Sequence, residues 1–159
     1  MDKLLKLLKQ NSRLSNEQLA VMLGISEKDV AAKIEAYENN GIIKGYSAVI
    51  NDELADKDMV TAFIEVKVTP KPNSGFDELA STIMKYEEVE SVYLMSGTYD
   101  IAVIINGKNI RSISLFVSQR LSALDGVLST ATHFVLKRYK DNGICLSDTP
   151  VDERSMTTW

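Results

Sequence analysis

Three lysines around a serine-capped helix are well suited to recognition chemistry. Ser26 is followed three residues later by Asp29, so its hydroxyl can cap a helix that begins there. Lys28 and Lys33 lie in this helix, and Lys44 follows it. Ammonium groups and the unpaired N–H groups of a helix N-terminus both bind phosphate oxygens. The group therefore suits a phosphate-bearing partner.

A second group, Gly97-Thr98-Tyr99-Asp100, combines a glycine, a hydroxyl and a carboxylate in one short run. Gly97 permits close backbone approach to a bound molecule. Asp100 can accept hydrogen bonds from an α-ammonium group, while Thr98 or backbone N–H groups can bind a carboxylate. Equally, Gly97 can serve only to form a turn that Asp100 holds in place. The residue types leave both interpretations open.

The sequence lacks the pattern of a catalytic or metal centre. It has one histidine, His133, and one cysteine, Cys145, without a nucleophile–base pair, a metal-ligand cluster or a phosphate-binding glycine loop. We therefore predict no catalytic residue, no metal and no cofactor. His133 stands on a predicted strand, where a structural imidazole is the simpler interpretation. A lone cysteine cannot form an internal disulfide, which favours a reducing compartment.

The elements that position the three lysines have the layout of a winged helix-turn-helix. Ser15 and Gln18 predict a capping box for one helix, and Gly24 separates it from the helix that Ser26 begins. The second helix of such a unit enters the major groove of DNA, although capped helical pairs also occur in proteins that bind no DNA. Gly45 is predicted as the turn of a β-wing. The predicted core contains three apolar sets at helical spacing: Leu4, Leu7 and Leu8; Leu19, Met22 and Leu23; Val30, Ile34 and Tyr37.

Beyond a polar linker, the hydrophobic period changes from that of helices to that of strands. Alternating apolar residues from Ala62 to Val68 predict one strand, and further strands are predicted at 89–95, 101–105 and 128–136. A helix is predicted between the first two strands. Another is capped by Asn109 after a predicted turn at Asn106-Gly107. The order βαββαβ is the ferredoxin-like arrangement, so we predict an α+β fold class.

The strand at 101–105, Ile-Ala-Val-Ile-Ile, does not alternate between apolar and polar residues. In this topology the helices cover one sheet face, and a strand with its other face in water should alternate. We therefore expect a second copy of the chain to cover that face, making a homodimer or a larger assembly. The alternative is that the first domain or the C-terminal tail covers it.

The charge balance is compatible with a nucleic-acid partner but does not require one. The net charge is −4, yet residues 1–50 hold seven lysines and arginines against six acidic residues. Phosphate contacts would have to come from a few placed lysines and helix N-termini. The sequence has no apolar run of membrane-spanning length and no signal-peptide pattern at its start, so we expect a cytoplasmic protein without a membrane partner.

The order of these motifs resembles the Lrp/AsnC family of transcription regulators, also called feast/famine regulators. The matching segments are SNEQLAVMLGISEKDV, GIIKGYSAVIN, MSGTYDIAVII and THFVLKRYKD, which span nearly the whole chain in the right order. The resemblance implies an N-terminal winged helix-turn-helix domain at 1–50, a linker at 51–59, a C-terminal ferredoxin-like domain of the RAM type at 60–140, and a tail at 141–159. It also implies double-stranded DNA as a partner.

The resemblance assigns roles by position. The helix from Ser26 to Asn39 corresponds to the recognition helix, with Lys44 beside it for phosphates. The C-terminal domain is expected to form homodimers and further assemblies up to octamers. A small effector, commonly an amino acid, is expected between dimers near Gly97, Thr98, Tyr99 and Asp100. The strand residues Thr130 and Thr132 are expected to line the same pocket. Within the recognition helix, the expected DNA contacts are Ser26, Glu27, Lys28, Ala31, Ala32 and Lys33.

The sequence departs from the family in the recognition helix. The family pattern resembles RIxRLE, whereas this chain has Lys33-Ile34-Glu35-Ala36-Tyr37-Glu38, and its helix carries two lysines against four acidic residues. DNA affinity is then expected to be modest or to depend on several DNA-binding domains together. Two other functions remain open on this fold: a sirohaem-decarboxylase-like enzyme, which the single histidine and few arginines disfavour, and a ligand-sensing module that binds no DNA.

Overall fold

The structure, a computed structural model, describes residues 1–69 and 75–146 in two units, each with its own core. One unit holds Met1–Val49 together with Lys140–Cys145, and the other holds Ile50–Tyr139 together with Leu146. The domain boundaries proposed from the sequence stay predictions, and 147–159 of the predicted tail lies outside the described residues. Within the described ranges, no helix has both the length and the apolar character needed to cross a membrane.

Three helices form the first unit: α1 (Lys3–Gln10), α2 (Asn16–Leu23) and α3 (Glu27–Asn39). The predicted capping box is present at α2, where the Ser15 hydroxyl accepts from the Gln18 N–H at 3.1 Å and Gln18 accepts from the Ser15 N–H at 3.0 Å. Gly24 ends α2 with a φ of +67°, in the left-handed region. The sequence signals for both helix boundaries are therefore confirmed.

The core of this unit is small, as expected for three short helices. Leu4, Leu8, Leu19 and Val30 are its buried members, and half-buried residues such as Ile34 and Tyr37 pack around them. Met22, predicted as a core residue, is instead exposed. On α2 the inward positions are Leu19, Ala20 and Leu23, so the helix turns Met22 toward solvent.

The predicted strands of the wing are absent from the structure. Residues 43–50 belong to no helix or strand, and no strand pairing involves them among the described residues. Gly45, proposed as the turn, does not have a positive φ. A two-residue hairpin turn needs that left-handed geometry, so Gly45 does not form one. Lys140–Cys145 contains the short hairpin β5–β6 (Lys140–Asp141 and Ile144–Cys145).

The second unit is a four-stranded antiparallel sheet with its helices on one face. Its strands are β1 (Val60–Val68), β2 (Val89–Leu94), β3 (Ile101–Gly107) and β4 (Val127–Phe134), in the order β2-β3-β1-β4. The helices are α5 (Asp77–Ile83) and α6 (Ile110–Phe116), which continues into a π-helical turn (Val117–Leu121). The predicted βαββαβ order is confirmed.

Helix α6 approaches β3 closely at Gly107, which the sequence interpretation placed in a turn. The strand continues through Asn106 and Gly107, which pair with Thr61 and Val60. A Cβ on Gly107 would lie 2.8 Å from Cγ1 of Ile113. The turn prediction was wrong because this glycine accommodates a neighbouring helix, and sequence alone does not separate that role from a turn.

The predicted linker contains a short helix, α4 (Asp52–Ala55), which a side-chain network ties to the sheet. Arg138 Nη2 lies 3.3 Å from Oδ2 of Asp52 and donates to the Thr61 hydroxyl at 3.2 Å. Thr61 donates to Asn106 at 2.8 Å, and Asn106 donates to Glu90 at 2.8 Å. The network crosses the sheet from α4 to β2, so α4 is held to the second unit.

Replacing Gly24 by alanine is expected to destabilise the first unit by about 1 kcal/mol, because a Cβ disfavours the left-handed conformation. No atom lies within 4 Å of the added Cβ, so the cost is backbone strain alone. Gly45→Ala is the matched control, since it also has open space but no positive φ. Urea unfolding of both variants would measure the difference; equal stabilities would contradict the role given to Gly24.

Candidate nucleic-acid interface and ligand site

Helix α3 separates its core-facing residues from its outward residues. Val30 is fully buried and Ile34 and Tyr37 are half-buried, which defines the inward side. Successive helical residues are about 100° apart, so the opposite stripe contains Lys28, Ala32, Glu35 and Asn39. All four are exposed. The stripe presents an ammonium, a methyl, a carboxylate and an amide on one surface.

The N-terminus of α3 is capped by its own side chains. The Ser26 hydroxyl accepts from the Asp29 N–H at 3.1 Å and donates to the Asp29 carboxylate at 2.6 Å. This differs from a full capping box, because the carboxylate binds the hydroxyl and not the Ser26 N–H. The N–H groups of the first turn still give the helix end a partial positive charge, beside which Lys28 lies.

Lys33 lies on the flank of α3 near the start of α1 and not on the outward stripe. The Tyr37 hydroxyl donates a hydrogen bond to Asp2, and this bond is the main cause of a lowered pKa at Asp2. The Leu4 N–H and the charge of Lys33 lower the pKa of Asp2 further. The same bond raises the pKa of Tyr37. Lys33 therefore has an electrostatic partner within the unit.

Lys44 and Tyr46 both approach the C-terminal end of α3. A Cβ on Gly41 would lie 2.6 Å from the Lys44 ammonium nitrogen, so this side chain folds over the end of the helix. The Tyr46 hydroxyl donates to Glu38 at 2.8 Å, which raises the pKa of Tyr46. These contacts complement a helix C-terminus with a positive charge and engage one of the four carboxylates of α3.

The hairpin that joins β2 to β3 contains Asp100, whose carboxylate is engaged by β1. Asp100 Oδ2 accepts from the Val68 N–H at 2.9 Å, and its own N–H donates to the Val66 carbonyl at 3.1 Å. Its carbonyl accepts from the Met95 N–H at 2.8 Å. These bonds agree with the interpretation in which Asp100 holds the turn in place, and they also fix its carboxylate in one position.

Gly97 has no steric or conformational requirement within a single chain. It does not have a positive φ, and no atom lies within 4 Å of the position that a Cβ would occupy. Gly97 and Thr98 are both exposed. The simple turn interpretation therefore does not explain the glycine.

The remaining residues of the predicted pocket lie on opposite faces of the sheet. Thr130 and Thr132 pair with Val66 and Ile64, whose side chains are in the core beneath the helices. Thr130 shares a hydrogen bond of 3.1 Å with Ser122. Tyr99 instead packs edge-on against Phe63 at 6.1 Å, on the face without helices. One chain thus does not bring the six predicted residues together.

We call the face of the sheet that lacks helices the open face. It contains Thr61, Phe63, Glu65 and Lys67 of β1, with Ala102, Ile104 and Asn106 of β3, Tyr93 of β2 and His133 of β4. Ile104 is half-buried and Tyr93 is 51% exposed. The sequence did not single out Phe63, because it alternates with the core residues of β1. The available signal was an aromatic side chain on a strand face whose neighbouring members, Thr61 and Glu65, are polar.

His133 belongs to a small cluster on the open face. Its Nε2 lies 3.4 Å from Oε1 of Glu65, and its ring lies 6.2 Å from that of Phe63. Cys145 is an exposed free thiol. Across the part of the chain that the structure describes, no group of three or more histidine, cysteine or acidic side chains is placed to hold a metal ion.

A cavity of about 160 Å³ opens beside the end of β1. Its apolar wall is formed by Val68, Phe76, Leu79 and Leu124, and Glu78 and Asp125 contribute carboxylates. None of the six predicted effector residues lines it.

Comparison with known protein families decides the identity of both units. A model of the Lrp/AsnC ligand binding domain matches residues 61–144, which is just over half of the chain. A model of a winged helix-turn-helix DNA-binding domain matches residues 3–44. The chain belongs to the Lrp/AsnC family. It is therefore a DNA-binding transcription regulator with a ligand-binding domain, as the resemblance implied.

Individual relatives agree with this assignment over most of their lengths. The HTH-type transcriptional regulator YugG of Bacillus subtilis is 48% identical over 88% of this chain and 85% of its own. The regulator LysM of Sulfurisphaera tokodaii is 35% identical over 85% of this chain and 91% of its own. A solved complex of the Neisseria meningitidis regulator NMB0573 with L-Met has a TM-score of 0.72 at 26% identity, covering 89% of this chain and 93% of that one.

Proposed function

We propose that this Lrp/AsnC regulator binds specific DNA sites through the outward stripe of α3 and responds to an amino acid bound near the 97–100 hairpin. The observation that carries the first part is the separation of α3 into a buried side and an exposed side. In helix-turn-helix proteins the N-terminal part of the second helix contacts base edges. Glu27, Lys28, Ala31 and Ala32 are the proposed contacts there, and Ser26 at the helix N-terminus is proposed to contact a phosphate.

The lysines are proposed to have unequal roles. Lys28 lies on the outward stripe beside the positive end of α3, so it is the proposed main cationic contact. Lys33, whose charge acts on Asp2, and Lys44, which lies over the helix end, are proposed as flanking phosphate contacts. With few cations per domain, several DNA-binding domains acting together would supply the affinity.

The open face is the proposed homodimer interface. Phe63 and Ile104 give it an apolar centre, Tyr93 lies on its edge strand β2, and the helices of the same unit lie on the opposite side. Covering it with a second copy would bury the aromatic side chains and the polar residues around them in a face-to-face contact. Further association of dimers, up to octamers, is proposed to complete the effector site.

Association of dimers is also proposed to bring together pocket residues that a single chain keeps apart. Thr98 and Gly97 are exposed, and the carboxylate of Asp100 is held in place by Val68. We propose that hairpins from neighbouring dimers together bind an amino acid, with Asp100 accepting from its ammonium group. The complex of the neisserial relative with L-Met supports this ligand class. The effector would act by binding one assembly more tightly than another.

The histidine cluster favours the regulator over the decarboxylase alternative. The imidazole of His133 faces Glu65 and packs on Phe63, so its contacts are accounted for within the open face. We propose that the protein acts as a regulator and not as an enzyme.

Lys28→Ala is expected to weaken DNA binding and to make the slope of log affinity against log salt less steep, because the variant removes a cation from the proposed DNA-contacting surface. Mobility shifts across a salt series would measure both effects. Lys85→Ala, which removes an exposed charge from the second unit, is the matched control and should leave the slope unchanged. Equal slopes for the two variants would remove Lys28 from the interface.

Tyr93→Lys is expected to shift the protein toward monomers, because a charge would enter the proposed interface without disturbing a buried position. Analytical ultracentrifugation at micromolar concentrations would measure the shift. Met84→Lys introduces the same charge at another exposed apolar position, after α5, and should keep the parental mass. A Tyr93→Lys variant with unchanged mass would show that the open face is not the interface.

Asp100→Asn is expected to abolish the effector response and to keep basal DNA binding. The amide oxygen can still accept from the Val68 N–H, while the charge that binds an ammonium group is lost. DNA mobility shifts with a panel of amino acids would measure the response, with Asp58→Asn, an exposed carboxylate elsewhere, as the control. A persisting response would place the effector elsewhere.

A further inference from the structure

We infer that Ala32 recognises the C5-methyl group of a thymine, and that Lys28 recognises a guanine about two base pairs away. This inference deepens the proposed role of α3 by specifying which bases the helix selects. It rests on the side chains of the outward stripe and on the groups that are already engaged elsewhere in the unit.

Several polar groups of α3 already have partners and are poorly placed to contact bases. Ser26 and Asp29 bind each other, and Glu38 accepts from Tyr46. Lys33 is on the flank and acts on Asp2. Among the described residues, no hydrogen bond or ion pair engages Lys28, and Ala32 presents a bare methyl group at the centre of the exposed side.

Lys28 and Ala32 have distinct partners on base edges. In the major groove, thymine presents a C5-methyl group, for which an alanine methyl is an apolar match. Guanine presents two acceptors, N7 and O6, to which a lysine ammonium donates. Alanine at position 32 also leaves space for a close approach of the helix to the bases, which a longer side chain would fill.

The separation of the two positions along α3 sets their spacing on DNA. Four residues rise about 6 Å along a helix axis, which is close to two base steps of about 3.4 Å. A helix lying along the major groove would therefore place Lys28 and Ala32 over base pairs about two apart. Each half-site should contain a guanine and a thymine with this separation.

The test begins with selection of bound duplexes from a random pool by the full-length protein. Each thymine of the selected site is then replaced by uracil, which removes only the C5-methyl group. At one position in each half-site, uracil should lower the affinity about fourfold, the effect of burying one methylene-sized group. At that position Ala32→Gly should bind thymine and uracil equally.

Ala36→Gly is the matched control for the loss of helix propensity. Ala36 is also exposed on α3 but lies in its C-terminal half, so this variant should keep the fourfold preference for thymine. The guanine is tested in the same way, with 7-deazaguanine in the DNA and Lys28→Ala in the protein. That pair should show its effect about two base steps from the thymine.

The outcomes separate this inference from the DNA-binding function itself. Specific binding with uracil tolerated at every position, or an Ala32→Gly variant that keeps the fourfold preference, overturns the thymine contact while DNA binding stands. A protein that enriches no duplex at low salt contradicts both. Loss of the preference in Ala32→Gly alone, with Ala36→Gly unchanged, supports the inference.

Discussion

The four-stranded sheet can bury only one of its faces within a single chain, because α5 and α6 lie on the same side. That constraint determines the rest of the second unit. Ile64, Val66, Val103 and Ile105 form the core under the helices, while Phe63, Tyr93 and Ile104 remain on the open face. Apolar and aromatic side chains on this face are costly to leave in water, which gives the unit a physical reason to associate.

The first unit meets a different constraint, that of size. With only four buried side chains, its helices depend on local stabilising features: the capping box at α2, the left-handed Gly24 and the serine cap of α3. Each such term contributes about 1 kcal/mol. Because Val30, Ile34 and Tyr37 pack in this small core, the residues on the opposite side of α3 are not needed for its packing.

The features that the sequence predicted correctly are those encoded by neighbouring residues. Ser15 and Gln18, Gly24, and the alternation along β1 each specify their structure within a few positions. The failures arose where a distant partner decides the role. Gly107 accommodates Ile113 of a helix that follows it, a role that could not be deduced from nearby residues. Gly45 resembled a turn glycine, but nothing in its surroundings requires left-handed geometry.

In the candidate site, too, some positions follow from neighbouring residues and others depend on distant partners. The outward position of Lys28 follows from helical periodicity once Val30 is known to be buried. The separation of Thr130 and Thr132 from Tyr99 depends on strand register, since a shift of one residue exchanges the two faces of a strand. Register is fixed by the whole sheet, so a family resemblance could name these residues but could not show that one chain keeps them apart.

The division of α3 into two stripes has an evolutionary consequence. Mutations at 28, 32 or 35 alter a surface without touching the core, so they can accumulate at almost no cost in folding. Mutations at 30, 34 or 37 do not have that freedom. Duplicated copies of such a gene can therefore diverge in their target promoters while the scaffold stays constant, and a lineage can acquire many regulators from one ancestral fold.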